Sequence, residues 1–123
     1  MPMKPLEADL RAWLAAAYRK EALAREHARA ETNALTQAAL EGEVETFYGC
    51  CMTLEDCLYA FGSTGKRIRL AVYAEIGKYQ RYADTLQHSL GAEADELQRA
   101  RINGSLTIYY QVVQEWSEIL GGA

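Results

Sequence analysis

Residues 40–61, with the sequence LEGEVETFYGCCMTLEDCLYAF, carry the pattern that decides the fold. Side chains three and four positions apart share one face of an α-helix, and a seam of apolar residues at this spacing is typical of helices packed nearly parallel to one another. The stretch therefore predicts one long helix of a bundle. The apolar positions alternate between spacings of four and three at Leu40, Val44, Phe47, Cys51, Leu54, Leu58 and Phe61.

Nearly the same spacing occurs twice more towards the carboxyl end. A fourth helix is indicated at the amino end by Pro5 and the apolar residues after it. We predict an all-α, up-down four-helix bundle with helices over about 5–32, 34–61, 65–90 and 92–120. The chain of 123 residues predicts a single helical domain, 1–123. The later seams are Ile68, Val72, Ile76, Tyr79, Ala83, Leu86 and Leu90, and then Ile102, Leu106, Tyr109, Val113, Trp116 and Leu120.

Three points leave alternatives open. Gly49 and a cap-like Thr53 predict a kink or break in the second helix near residues 49–53. No Gly or Pro separates the first two helices at residues 32–33, so one continuous rod also fits. The β-forming residues 105–113 follow Asn103-Gly104 and also fit a strand paired with residues 44–52, although the helical seam through both segments favours helices. At the end of the third helix, Gly91 predicts a left-handed cap.

Composition narrows the class of protein. The chain has 13 basic and 17 acidic residues and a formal net charge of −4, which argues against a DNA-coating protein. No apolar run approaches the roughly 20 residues that a membrane helix needs, so we expect no membrane partner. The first ten residues, MPMKPLEADL, lack the apolar region of a secretory signal, and we expect a cytoplasmic location.

Motifs for catalysis and metal binding are absent from the sequence. There is no His-Glu-x-x-His and no Gly-x-Ser-x-Gly, and no glutamate stands three positions before His27 or His88. The cysteines at positions 50, 51 and 57 are odd in number, and we expect reduced, mostly buried thiols. The sequence therefore predicts no catalytic residues, no metal, no cofactor and no enzymatic activity.

The segment GSTGKRI, residues 62–68, is the most informative polar feature. Its Gly-x-x-Gly resembles the loop with which KH domains clamp a nucleic-acid backbone, and this resemblance implies nucleic-acid binding. A KH fold also requires a sheet, whereas the flanks of this loop have the spacing of heptad helices. The resemblance covers these seven residues only.

The residues of this segment also favour an anion-binding site independently of the resemblance to KH domains. Glycines allow close backbone approach, and a helix amino end offers free N–H groups beside basic side chains. The second helix is acidic and the third basic, so a solvated face with ion pairs between these helices is the favoured interpretation. The hypothetical anion-binding set is Gly62, Ser63, Thr64, Gly65, Lys66, Arg67, Arg69, Lys78, Arg81 and His88.

The fourth helix is apolar over an arc of roughly 200°, against the roughly 100° that a surface helix needs. Either it is the central helix of the bundle, or its spare face meets a second copy, which would make a homodimer. We therefore expect a small, non-enzymatic interaction or assembly protein whose partner is itself and possibly another protein. The alternative is a module that binds a nucleotide or nucleic acid. The hypothetical interface comprises Ile108, Tyr109, Tyr110, Val112, Trp116 and Ile119.

Overall fold

The computed structural model describes residues 5–61 and 65–122, and it confirms the all-α four-helix bundle. The first and second helices pack antiparallel: the Tyr18 hydroxyl of the first contacts Glu55 near the end of the second, and Ala28 meets Gln37 near its start. Residues 105–113 are helical, so the strand alternative is wrong. The helices are α1 (Pro5–Ala30), α2 (Ala34–Phe61), α3 (Gly65–Ala92) and α4 (Glu96–Gly122).

Asn33 separates α1 from α2, so the continuous rod is wrong. Its side-chain oxygen accepts a hydrogen bond from the backbone N–H of Thr36 at 3.0 Å, and its carbonyl accepts one from Gln37 at 2.8 Å. An asparagine in this position satisfies N–H groups that the first turn of a helix leaves free. A polar cap thus starts α2 without any glycine or proline.

The predicted break in α2 is wrong, because α2 continues through residues 49–53 without interruption. Cys50 and Cys51 are 1% and 0% exposed, and Leu54 one turn later is also fully buried. Burial on both sides of the cap-like Thr53 holds this segment helical. Packing therefore overrides the local preference of threonine for a new helix start.

The turn between α3 and α4 is built from side chains and not from a left-handed glycine. Gly91 lies inside α3 and has no positive φ, so the predicted left-handed cap is wrong. The Asp95 carboxylate caps α4 by accepting hydrogen bonds from the N–H groups of Leu97 and Gln98. The Arg99 guanidinium donates to the carbonyl of Leu90 at 2.5 Å and so satisfies the end of α3.

The main core cluster receives side chains from all four helices. Aromatic rings connect the helices: Trp13 of α1 stacks on Phe47 of α2 with ring centroids 6.0 Å apart, and it meets Trp116 of α4 edge-on at 5.4 Å. Tyr79 of α3 lies 5.6 Å from Trp116 on the other side. Trp116 is 0% exposed and is the largest fully buried side chain of the described residues.

Away from this cluster, α2 and α4 approach until their backbones touch. A Cβ atom added to Gly42 would lie 2.2 Å from the carbonyl oxygen of Arg101. One added to Gly104 would lie 2.0 Å from the carbonyl oxygen of Ala39. These two glycines therefore let α2 and α4 meet without intervening side chains, in a segment whose Asn103-Gly104 dipeptide is typical of a hairpin turn.

In the part of the chain that the structure describes, no helix has the length and apolarity needed to cross a membrane.

Candidate functional site

The glycine loop falls only partly within the structure. Gly62, Ser63 and Thr64 lie outside the described residues, and Gly65 begins α3. No strand occurs in residues 5–61 and 65–122, so the sheet of a KH domain is missing there.

Arg69, which was predicted to bind an anion, instead contacts the end of α4. It is half-buried, and its guanidinium donates to the backbone carbonyl of Leu120 at 2.5 Å. The last carbonyls of a helix have no partner within the helix, and this arginine satisfies one of them at the end of α4. Its donors are therefore directed at α4 and away from the exposed side of α3.

The remaining basic residues lie along α3 and do not converge on one point. Lys66, Arg67, Arg81 and His88 are exposed, and the first and last are separated by roughly 33 Å at the helical rise of about 1.5 Å per residue. Lys78 is exposed as well, and its ammonium lies 5.7 Å from the centre of the Tyr82 ring, one turn further along the same helix. The described members of the predicted set therefore form a long stripe along α3, from which Arg69 is directed away towards α4.

The expected ion pairs between α2 and α3 do not form among residues 5–61 and 65–122. Instead the α2 carboxylates of Glu41 and Glu45 lie 3.0 and 3.6 Å from the guanidinium of Arg101 in α4. Because α2 and α4 touch at Gly42, the neighbouring Arg101 lies beside Glu41 and Glu45. The prediction of pairing between α2 and α3 is wrong for this reason.

Most residues of the hypothetical interface on α4 are buried or half-buried inside the single chain. Ile108, Val112 and Trp116 are buried within the single chain and have no area to offer a second copy, because α4 packs against all three other helices. The wide apolar arc of α4 is thus explained by a central position in the bundle. Tyr109 and Ile119 are half-buried against the core, whereas Tyr110 is exposed and its hydroxyl accepts a hydrogen bond from Gln87 at 3.0 Å.

The three cysteines are free, as predicted. Burial raises the pKa of the Cys50 thiol to about 12 and that of Cys51 to about 11, so neither is a thiolate near neutral pH. Both histidines are exposed on α1 and α3, away from the buried thiols. No group of three or more His, Cys, Asp or Glu side chains suited to a metal ion occurs in the described residues.

Exposed apolar side chains mark two surfaces that the heptad pattern does not indicate. The first, which we call the α2 surface, occupies an arc of about 100° at 100° per residue. Within it Tyr59 is 95% exposed, and no basic residue accompanies its two acids. The α2 surface consists of Tyr48, Met52, Glu55, Asp56 and Tyr59.

The second, the α3 surface, lies on the outer face of α3 within an arc of about 120°. Leu70 and Tyr73 are 60% and 70% exposed there, among three basic side chains. An exposed apolar residue standing alone is ordinary, but grouped ones point to contacts with another molecule. The α3 surface consists of Lys66, Arg67, Leu70, Tyr73 and Arg81.

A cleft of about 340 Å³ opens between α2 and α3. Sequence reasoning did not find it, because it depends on which tyrosines of α3 and α4 face the gap. Its lining includes Gly49 and Cys50 of α2, Lys78, Tyr79 and Tyr82 of α3, and Tyr109 of α4.

Comparisons with protein-family models, with curated proteins and with solved structures find no match.

Proposed function

We propose that the protein acts through contacts between copies of itself, as a small helical assembly protein without catalytic chemistry. The observation that supports this best is the exposure of Tyr59, Leu70 and Tyr73, which are 95%, 60% and 70% exposed. Tyrosine is among the residues that contribute most of the binding energy in protein interfaces. The α2 surface of one copy is proposed to bind the α3 surface of the next.

Charge favours this pairing over the contact of like surfaces. Of the five residues that define each surface, two are acidic and none basic on the α2 surface, whereas three are basic and none acidic on the α3 surface. Arg25 of α1 borders the first through Tyr48, and Asp84 continues the arc of the second. Two copies of one surface would repel each other, while one of each kind would attract. The exposed apolar side chains then supply the area that the contact buries.

The two surfaces border different neighbours, which determines the kind of assembly. The α2 surface adjoins α1: the hydroxyl of Tyr18 donates to Glu55, and the Arg25 guanidinium lies 5.9 Å from the centre of the Tyr48 ring. The α3 surface adjoins α4, since Tyr73 lines a cavity together with Leu120. Pairing is therefore head-to-tail and leads to a ring or an open series of copies, in place of the two-fold dimer expected from α4.

Sedimentation velocity over a range of protein concentrations tests the proposal. We expect the mean mass to rise with concentration, and Tyr59→Glu to reduce association at least ten-fold. Leu97→Glu is a matched control, because Leu97 is 48% exposed on α4 outside both surfaces. A natural chain that stays monomeric at all concentrations, or a Tyr59→Glu variant that associates as well as the natural chain, would contradict the proposal.

Reversing one charge on each surface tests whether the α2 surface binds the α3 surface. Asp56→Arg removes the net negative charge of the α2 surface, and Arg67→Glu weakens the basic charge of the α3 surface. Each variant alone should associate more weakly than the natural chain. A mixture of the two should recover pairing, because the unchanged α2 surface of the Arg67→Glu variant can bind the unchanged α3 surface of the Asp56→Arg variant.

One observation favours the alternative function, which is binding of a nucleotide or nucleic acid by the basic residues of α3. None of Lys66, Arg67, Arg81 and His88 lies within 4.0 Å of a carboxylate in the described part of the chain. If these residues bind nucleic acid, fluorescence anisotropy of a labelled single-stranded oligonucleotide should show salt-dependent binding that Arg67→Glu with Arg81→Glu abolishes. Tyr59→Glu separates the two functions, since it should weaken assembly and leave oligonucleotide binding unchanged.

A further inference from the structure

The cleft between α2 and α3 is a second candidate binding site, and it does not depend on the assembly of copies. It is bounded by three helices and measures about 340 Å³, near the lower end of the roughly 300–1,000 Å³ of small-molecule sites. Neither proposed surface includes the residues that line it. Its walls differ in chemistry, and each restricts the kind of molecule that fits.

Gly49 forms an open wall on the α2 side. A Cβ atom added there would meet nothing within 4 Å, in contrast to Gly42 and Gly104. Alanine is favoured over glycine by about 1 kcal/mol within a helix, so the packing of the chain itself gives no reason for a glycine here. The missing side chain leaves the cleft open at its middle and lets a ligand approach the backbone.

Three tyrosine rings form the opposite wall. The ring centroids of Tyr79 and Tyr109 are 5.2 Å apart, those of Tyr82 and Tyr109 are 6.0 Å apart, and those of Tyr79 and Tyr82 are 6.2 Å apart. A continuous cluster of this kind offers flat apolar faces and ring edges to a planar ring, which packs well in offset or edge-on geometry. The wall therefore favours an aromatic ligand over a flexible aliphatic one.

The electrostatics of the cleft favour a negative charge on that ligand. The ammonium of Lys78 has one carboxylate near it, Glu75, at 4.0 Å, which is the limit of an ion pair. Glu45, the acid of the lining, is 3.6 Å from the Arg101 guanidinium, which offsets its charge. A cationic ligand would be repelled by Lys78, whereas an anionic group would gain a charge-assisted hydrogen bond from it.

We propose that this cleft binds a small planar aromatic anion, with its ring against Tyr82 and Tyr109 and its anionic group at Lys78. A one-ring or two-ring aromatic system fits within the volume of the cleft, and a carboxylate on it can reach Lys78, whose ammonium lies 5.7 Å from the centre of the Tyr82 ring. The absence of a side chain at Gly49 leaves room for the aromatic ring of the ligand, and the ammonium of Lys78 favours a negatively charged group on it.

Titration of the ¹⁵N-labelled chain with 1-naphthoate, followed by NMR, tests this site. We expect shifts of backbone amides at Gly49, Cys50 and Tyr82, saturating with concentration. Gly49→Leu should abolish them, because the leucine side chain occupies the open space of the cleft. Gly91→Leu is the matched control, since a Cβ at Gly91 also meets nothing within 4 Å and lies away from the cleft.

Two further measurements test whether the ligand must be negatively charged. Lys78→Gln should weaken binding of 1-naphthoate at least ten-fold, and neutral 1-naphthalenemethanol should bind the natural chain at least ten-fold more weakly than 1-naphthoate. The absence of saturable shifts at the cleft would overturn the site. Equal affinity for the neutral probe, or an unchanged affinity in Lys78→Gln, would overturn the assignment of an anion, even if Gly49→Leu failed to fold.

Discussion

At the level of single residues, Gly42 and Gly104 bring the backbones of α2 and α4 into contact. A methyl group at either position would lie 2.0–2.2 Å from a carbonyl oxygen, so the helices would have to separate. We expect Gly42→Ala and Gly104→Ala each to lower the free energy of unfolding by about 2–3 kcal/mol, despite the better helix propensity of alanine. Urea denaturation followed by circular dichroism measures this.

Gly49→Ala provides the matched comparison for these substitutions. Its Cβ meets nothing within 4 Å, so only helix propensity changes, and we expect a gain of about 0.5–1 kcal/mol. If all three substitutions proved equally tolerable, the close contact of α2 with α4 would be refuted.

The buried thiol of Cys50 predicts a loss of stability at high pH. Burial raises its pKa from 9.0 in the unfolded chain to about 12 in the folded one. The unfolded state therefore loses its proton first, and stability that is complete below pH 9.0 declines between pH 9.0 and about 12. The slope for one such group is about 1.4 kcal/mol per pH unit.

Urea denaturation at several pH values in this range measures that decline. Cys50→Ala should show a shallower dependence on pH than the natural chain, whatever its stability at neutral pH. Part of the decline should persist, since burial also raises the pKa of Cys51 and Tyr109. An identical slope in both proteins would contradict the assignment of this effect to Cys50.

At the level of elements, the helix caps decide where each helix begins. Asn33→Ala removes the acceptor for the Thr36 N–H and should cost about 1 kcal/mol of stability. Asn103→Ala is the same substitution at an exposed position inside α4, where it should be neutral or stabilising by up to about 0.6 kcal/mol. Thermal or urea denaturation should show a loss of stability for Asn33→Ala only, and equal effects of the two substitutions would argue against a cap at Asn33.

The elements also show how far the sequence predicts the fold. The heptad seam predicted the helices, because burial of Val44, Phe47 and Leu54 on one face needs only the helical period. The caps were harder to predict: Asn33 and Asp95 act through side-chain geometry. Thr53 suggested a helix start that packing overrides, and α3 ends at Ala92, one residue after Gly91, without a left-handed glycine.

The candidate sites were less predictable, for a related reason. Whether Lys78 lines a cleft with residues of α2 depends on the angle at which α3 meets α2, and no local pattern encodes that angle. The same holds for Ile108 and Val112, whose arc fitted a central helix and an interface equally well until the neighbours of α4 were known. Exposure of single side chains such as Tyr59 follows from that arrangement too.

At the level of the whole molecule, stability should differ between the two ends of the bundle. The main cluster takes side chains from four helices, whereas a second cluster near the turn between α3 and α4 consists of Ala83, Ile102 and Leu106 with a few half-buried neighbours. Regions with little buried apolar area open at lower free energy than the main core.

Native-state hydrogen exchange measured by mass spectrometry tests this difference. We expect amides near Leu54 and Val112 to exchange only through global unfolding. Amides near Leu86 and Ile102 should exchange through a smaller opening, and so at least ten-fold faster. Uniform protection along α3 and α4 would show that the two clusters unfold as one unit.

The contact through Gly42 and Gly104 also affects how distant relatives of this chain would be recognised. An apolar heptad tolerates exchange among leucine, isoleucine, valine and phenylalanine, so its residues drift while its period persists. Two backbones in contact tolerate no such exchange. A lineage that keeps this architecture should therefore retain a pair of the smallest residue at these two registers long after the rest of the sequence has diverged.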